Sequence, residues 1–188
     1  MPTLLFGLIL YVLPESLITF PMESRWIILA AIFFLTFVIP ALGTYFMMRA
    51  GLIESLHLQN RAHRRLPFLF TTLCYASTTY IFGKENLFGD LFYYIMLLIT
   101  LSVFASYVVS LFWKISAHGV GMGGALGVLV FLNILLPDAT LLNLIALFVL
   151  ITGCVLSARL ALQAHSPAQV YAGFLTGFAI GASLLLFI

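Results

Sequence analysis

The residues of this chain that could carry polar chemistry fall into three groups. The first is basic: Arg61, Arg64 and Arg65, preceded by His57. The second is Lys114, Ser116 and His118, and the third runs from Ser157 through Arg159 to His165, with Gln169 four places further on. Guanidinium forks match the oxygens of a phosphate, and the match strengthens where water is scarce. Two histidines add reactivity, because one imidazole can attack phosphorus while another gives a proton to the leaving oxygen. Taken singly, each reads as readily as a hydrogen-bonded residue at a helix end. Neither has an Asp, Glu or Cys nearby at metal-ligand spacing, so the pattern calls for no metal and no cofactor.

What must position these groups is a membrane. The chain has 188 residues, 63% hydrophobic and 7% charged, against about a quarter charged in a soluble domain. That apolar excess has to face lipid, which leaves helix bundles or closed barrels. The long runs are apolar on every side rather than alternating, which excludes the barrel. The expected fold is therefore all-α: a single bundle over residues 1–188 with six to seven spanning helices. A formal net charge of +2 gives no case for a nucleic-acid partner, and membrane lipids are the expected partners. Cys74 and Cys154 lie in apolar runs and are expected to be buried free thiols. The N-terminus lacks the basic start and cleavage site of a secretory signal, so residues 3–13 are expected to stay as a membrane segment.

A spanning helix needs about 20 apolar residues. Seven segments meet or approach this, at residues 3–13, 26–48, 66–82, 91–113, 119–136, 141–162 and 168–188. Continuation of the first past Pro14 and Glu15 is open. Pro21 with Glu23 and Arg25, then Gly83 to Asn86, then Pro137-Asp138 punctuate the connections. Residues 51–66 are long enough for a short interfacial helix before the third span, with His57, Arg61, Arg64 and Arg65 on one face and Leu52, Ile53 and Leu56 supplying an apolar side. Such a helix can simply rest on anionic head groups. Gly119, Gly123 and Gly127 recur every four residues, a stripe that lets a neighbouring helix approach. Counting crossings from the basic segment brings the chain back to the same membrane face at Lys114–His118 and again at Arg159–His165. Ser166-Pro167-Ala168-Gln169 reads as a capping box with Pro at the first helical position. The last helix then starts just after His165, and its positive end would favour phosphate there.

These residues resemble the type 2 phosphatidic acid phosphatase superfamily, which includes lipid phosphate phosphatases, bacterial phosphatidylglycerophosphate and undecaprenyl pyrophosphate phosphatases, and vanadium haloperoxidases. That family carries three motifs: Lys, six residues and Arg-Pro; Pro-Ser-Gly-His; and Ser-Arg, five residues, His, three residues, Asp. Arg159 and His165 have the third motif's spacing, and Leu-Ala-Leu-Gln-Ala-His-Ser-Pro-Ala-Gln-Val-Tyr-Ala-Gly around them reads like the family's sequence. Ser116-Ala117-His118 is similar to the second motif, with Ile115 for Pro and Ala117 for Gly. The first survives as Arg61, Arg64, Arg65 and Pro67 without the family spacing, Ala158 stands where the family has Ser, and Gln169 stands where it has Asp. The resemblance covers about residues 57–188.

The resemblance implies a metal-independent membrane phosphatase acting on a lipid phosphate or isoprenyl pyrophosphate through a phosphohistidine. In it His165 is the nucleophile, His118 the acid for the leaving group, and Gln169 the residue that orients His165. Arg159, Arg64, Arg61, Lys114 and Ser116 are the phosphate ligands, with Arg65 beside them. It also implies a bacterial inner-membrane protein whose site faces away from the cytoplasm, although a plain count of cations would turn that side inward. An amide at 169 cannot stabilise imidazolium as a carboxylate does. The alternative is therefore a phosphatase-like protein that binds a phospholipid head group without turnover, as scaffold, sensor or transport subunit.

Overall fold

A computed structural model describes residues 2–14, 18, 20–55, 62–84, 89–136 and 141–187. Every regular element among them is helical: α1 (Pro2–Val12), α2 (Met22–Phe33), a π turn (Phe34–Val38), α3 (Ile39–Arg49), a 3-10 turn (Ala62–Arg64), α4 (Arg65–Lys84), α5 (Gly89–Phe112), α6 (Ala117–Leu135), α7 (Leu142–Ala161) and α8 (Pro167–Ala182), the last continued by a 3-10 turn (Ser183–Leu186). Because α2, the π turn and α3 are continuous, the seven expected hydrophobic segments correspond to seven helical stretches. Five are long and apolar enough to cross a bilayer: Met22–Arg49, Gly89–Phe112, Ala117–Leu135, Leu142–Ala161 and Pro167–Leu186. The chain is thus an integral membrane helix bundle. Its contacts divide it within α5 into two units, Met1–Thr100 and Leu101–Ile188.

In the first unit α1 is too short to span. Its 11 residues rise about 16 Å, and Leu5, Phe6, Ile9 and Leu10 are buried. Phe6 stacks on Phe92 at 5.7 Å and meets Phe82 edge-on at 6.1 Å. The end of α1 is capped from a distance. Arg25, 3% exposed, donates from Nη1 to the Leu10 carbonyl at 2.9 Å and from Nε to the Phe20 carbonyl at 3.4 Å. The sequence suggests a loop charge at Arg25; instead the guanidinium satisfies carbonyls that the helix end leaves open.

The middle of the long second stretch shows why α4 belongs beside it. Pro40 has no N–H to give to the Thr36 carbonyl four residues back, and its ring crowds that carbonyl. The helix opens there into the π turn, with the Ile39 N–H bonded to the Phe34 carbonyl. Tyr75 of α4 donates its hydroxyl to the orphaned Thr36 carbonyl at 2.9 Å. Gly43 admits the Phe70 ring at the next contact, where any Cβ would collide with it.

α4 is the most polar of the long helices, and its hydroxyls turn inward onto its own backbone. Thr71, Thr72, Ser77, Thr78 and Thr79 each donate to the carbonyl four residues earlier at 2.7–2.9 Å. Thr79 also shares a 2.8 Å hydrogen bond with Thr100 of α5. Such satisfaction is what lipid demands of a helix with this composition.

Two expectations are modified. The basic interfacial helix at residues 51–66 is met, among the described residues, only by the three-residue 3-10 turn at Ala62–Arg64. Residues 51–54 are turn and bends, and His57 and Arg61 lie outside the described residues. Neither cysteine is a buried thiol: Cys74 is half-buried and Cys154 is exposed on α7, whose surface is almost wholly open. An apolar run marks a lipid-facing helix as readily as a core one.

The Pro40–Thr36–Tyr75 arrangement makes a coupled prediction. Tyr75→Phe should lower the thermal stability of the purified protein by about 1–3 kcal/mol, the cost of a buried unsatisfied acceptor. In a Pro40→Ala background, where residue 40 can donate to Thr36 itself, the same change should cost less than half as much. Equal costs in the two backgrounds would sever the link.

Candidate functional site

The second unit is organised by one helix pair. α6 and α8 run parallel and pack on each other more closely than any other pair of elements. Glycines make this possible on both sides. A Cβ added to Gly119 would lie 2.8 Å from the Val170 carbonyl oxygen, and one on Gly127 would lie 2.6 Å from that of Phe178. Cβ atoms on Gly123, Gly177 and Gly181 would strike the carbonyls of Phe174, Val120 and Gly124. Gly173 faces the Ser116 carbonyl in the same way, at 2.7 Å. The expected stripe on α6 thus meets a second one on α8, Gly173, Gly177 and Gly181, with the same four-residue period.

Parallel packing in this register sets the two helix starts side by side. The Ser116 N–H donates to the Gln169 carbonyl at 3.2 Å, so the turn carrying His118 lies against the turn carrying Gln169. Ser116, fully buried, caps α6 by accepting the Gly119 N–H on Oγ at 3.2 Å. Ser166 caps α8 by accepting the Gln169 N–H at 3.4 Å, and the reciprocal bond from the Ser166 N–H to Gln169 Oε1 at 3.2 Å completes the expected capping box. Two positive helix ends therefore sit together, with the Gly119 and Gln169 N–H groups taken by their serine caps.

His165 is delivered to this place by the way α7 ends. The Gln163 N–H bonds to the Leu160 carbonyl at 2.9 Å and the Ala164 N–H to the Arg159 carbonyl at 3.1 Å, the pattern of a Schellman motif. Gln163 takes the left-handed conformation, φ 50°, where glycine is usual. The turn consumes Arg159's carbonyl and reverses the chain, so that two residues later His165 stands at the foot of α8. His165 is 8% exposed, and its Nδ1 lies 3.2 Å from Gln169 Oε1. Gln169 therefore serves the cap and the imidazole through a single oxygen. With that oxygen accepting from Nδ1–H, the neutral ring carries its lone pair on Nε2.

The remaining predicted residues divide by unit. Lys114 is half-buried just before Ser116, His118 is exposed at the second position of α6, and Arg159 is half-buried in the last turn of α7. Arg64 is 7% exposed in the 3-10 turn and Arg65 is exposed at the start of α4, both in the first unit. Arg61 lies outside the described residues. His63, which the sequence reading passes over, has Nδ1 3.5 Å from Glu54 Oε2. Among the described residues no three His, Cys, Asp or Glu gather as a metal cage.

Two atoms stand out by what they lack. Among the described residues, Arg159 Nε and Ser110 Oγ are the buried side-chain polar atoms without a hydrogen-bond partner. Ser110 is wholly buried two residues before the end of α5, on a face shared with Ser102 and Ser106; Ser102 in turn approaches Gly124 of α6. The sequence had no signal for Ser110, since serine in a membrane helix ordinarily bonds to its own backbone, as Ser106 does to the Ser102 carbonyl at 2.9 Å.

No protein-family model matches this chain, and no curated protein and no solved structure matches it. The site has to be read from its own residues and geometry.

Because the helix starts are held together backbone to backbone, Gly177→Ala should be far more damaging than a typical added methyl. We expect destabilisation beyond the about 1–3 kcal/mol usual for overpacking, seen as a fall in unfolding temperature in detergent. Gly153→Ala on α7, where an added Cβ meets nothing within 4 Å, should be neutral or mildly stabilising. Similar behaviour of the two variants would show that the pair is not close-packed.

Proposed function

We propose that this chain is a membrane phosphatase for a lipid phosphate or isoprenyl pyrophosphate, with His165 as nucleophile. The observation that carries this reading is the 3.2 Å approach of His165 Nδ1 to Gln169 Oε1 at the paired starts of α6 and α8. A histidine that donates from Nδ1 presents Nε2 as the attacking atom. The two helix ends and Arg159 Nε offer donors to the oxygens of a phosphoryl group. Residues 101–188 contain a single carboxylate side chain, Asp138. Arg159 Nε, unpartnered among the described residues, suits an anion's oxygen.

In the proposed reaction Nε2 of His165 attacks phosphorus and the bond from phosphorus to the lipid oxygen breaks. Protonated His118 gives its proton to that oxygen. Water then attacks the phosphohistidine, His118 takes a proton from the water, and phosphate leaves. Arg159, Lys114 and Ser116 hold the non-bridging oxygens. This reading draws on residues 101–188 alone. The resemblance to the phosphatidic acid phosphatase superfamily supports a site facing away from the cytoplasm of a bacterial inner membrane.

Gln169 favours a second reading, in which the same residues bind a phosphorylated head group without turnover. An amide fixes the tautomer but adds no charge to stabilise imidazolium, and loss of that charge slows comparable triads by about 10⁴-fold. One set of measurements separates the two. Purified protein offered phosphatidate, phosphatidylglycerophosphate and isoprenyl pyrophosphates should release phosphate, the release should persist in EDTA, and His165→Ala should abolish it without loss of folded protein. Gln169→Asp should raise the rate, because the carboxylate stabilises the imidazolium. Turnover at the parental rate in His165→Ala would eliminate the phosphohistidine route. Substrate retention without release by the parent, and no gain in Gln169→Asp, would favour the binding protein.

A further inference from the structure

A second polar site lies in the first unit, remote in sequence from the paired helix starts. Where α4 ends and α5 begins there is a cavity of about 360 Å³ lined by Tyr80, Gly83, Lys84, Asp90, Tyr93 and Tyr94, among others. Several features of its walls are built rather than incidental. Tyr93 and Tyr94 are consecutive, with ring centroids 5.3 Å apart and planes at 64°, so two aromatic faces form a corner. Gly83 supplies the seat for this corner: an added Cβ there would lie 2.8 Å from Cε2 of Tyr93. Gly89 adopts a left-handed φ of 67°, and the chain turns there to start α5 with Asp90 in its first turn.

The charges are opposite in sign and separate. Lys84 ends α4 and Asp90 begins α5, and among the described residues neither has an ion-pair partner. A single anion would suit Lys84 alone, and a single cation would suit Asp90 and the rings. A zwitterion with a phosphate a few bonds from an ammonium suits the whole set, since the ammonium can rest on the electron-rich ring faces while the phosphate meets the lysine. α5 is long and apolar enough to cross a bilayer, so its start, where α4 ends, falls at interfacial depth, where phospholipid head groups are the abundant zwitterions and tyrosines are at home.

We infer that this cavity binds the head group of an ammonium-bearing zwitterionic phospholipid, the ammonium in the Tyr93–Tyr94 corner beside Asp90 and the phosphate on Lys84. α4 begins at Arg65 and ends at Lys84, so within this unit the site lies at the opposite end of α4 from the basic residues Arg64 and Arg65. It is independent of any chemistry at His165.

The test is lipid retention by the full chain, purified in a detergent without a phosphocholine head and measured by native mass spectrometry against dioleoyl phosphatidylcholine, phosphatidylethanolamine and phosphatidylglycerol. The two ammonium lipids should be retained roughly three- to thirtyfold more strongly than phosphatidylglycerol, the span expected for a partly desolvated cation on aromatic faces. Asp90→Asn, an exposed change that leaves the packing alone, should reduce that preference severalfold, and Lys84→Gln should weaken all three lipids. Tyr93→Phe should keep the preference and Tyr93→Leu should lose it, so a fold defect in the latter cannot be mistaken for a lost contact. Equal retention of phosphatidylglycerol and phosphatidylcholine by the parent overturns the inference, as does a preference untouched by Asp90→Asn. The choice between phosphatidylcholine and phosphatidylethanolamine then tells whether the rings or the carboxylate dominate.

Discussion

The parallel contact between α6 and α8 is the constraint on which the rest of the second unit depends. Helices joined by one crossing segment are parallel by topology, but most parallel neighbours are held apart by side chains. Here glycine on both faces removes that spacing, and carbonyl groups of one helix lie where the Cβ atoms of the other would be. In lipid there is no hydrophobic force to press helices together, so close van der Waals contact has to supply the association. Its consequence at the helix ends is geometric: the N–H of Ser116 reaches the carbonyl of Gln169. The first turns of the two helices become one surface, with two caps, two positive ends and two histidines. Widening the contact by a methyl would separate these before it altered either helix internally.

Elsewhere the same membrane requirement, that every backbone polar group find a partner, explains features that look unrelated. Arg25 is buried because α1 ends inside the unit and its carbonyls need a donor. Tyr75 is placed where Pro40 has stripped the Thr36 carbonyl of its usual partner. The hydroxyls of α4 fold back onto their own helix. Against this thorough satisfaction, the unpartnered Arg159 Nε and Ser110 Oγ are conspicuous. Arg159 sits in the turn that leads to His165, and Ser110 lies two residues before the end of α5.

The segments were legible because a membrane helix must be a long apolar run: residues 91–113 and 141–162 differ from α5 and α7 by one or two positions at each end. The cap at Ser166 and the approach of Gln169 to His165 were legible for a similar reason, being fixed by spacing within a single turn. What needed two elements at once was not legible. Gly173, Gly177 and Gly181 acquire meaning only opposite Gly119, Gly123 and Gly127, and the π turn at Phe34–Val38 becomes intelligible only when Tyr75 is found beside it. Arg25 reads as a loop charge until the end of α1 is placed next to it. Periodicity also suggested a helical face through His57, Arg61, Arg64 and Arg65, yet Gly51 takes a left-handed φ of 75° and the chain from there to Glu54 is bent rather than helical.

Gln169 shows why local geometry and chemical power need not go together. Its Oε1 closes the capping box with Ser166 and lies against His165 Nδ1 at the same time, so it can hold the ring in one tautomer and one orientation. An aspartate at that place would do this while adding a negative charge beside the imidazole, and a helix start welcomes an acidic residue. The amide leaves the paired helix starts more positive than a carboxylate would. In sequence, residues 101–188 carry Lys114, Arg159 and two histidines against Asp138 alone. An amide there would stabilise a positive imidazole less than a carboxylate does. Under the proposed function, an amide at 169 would therefore favour retention of a phosphorylated lipid over its turnover.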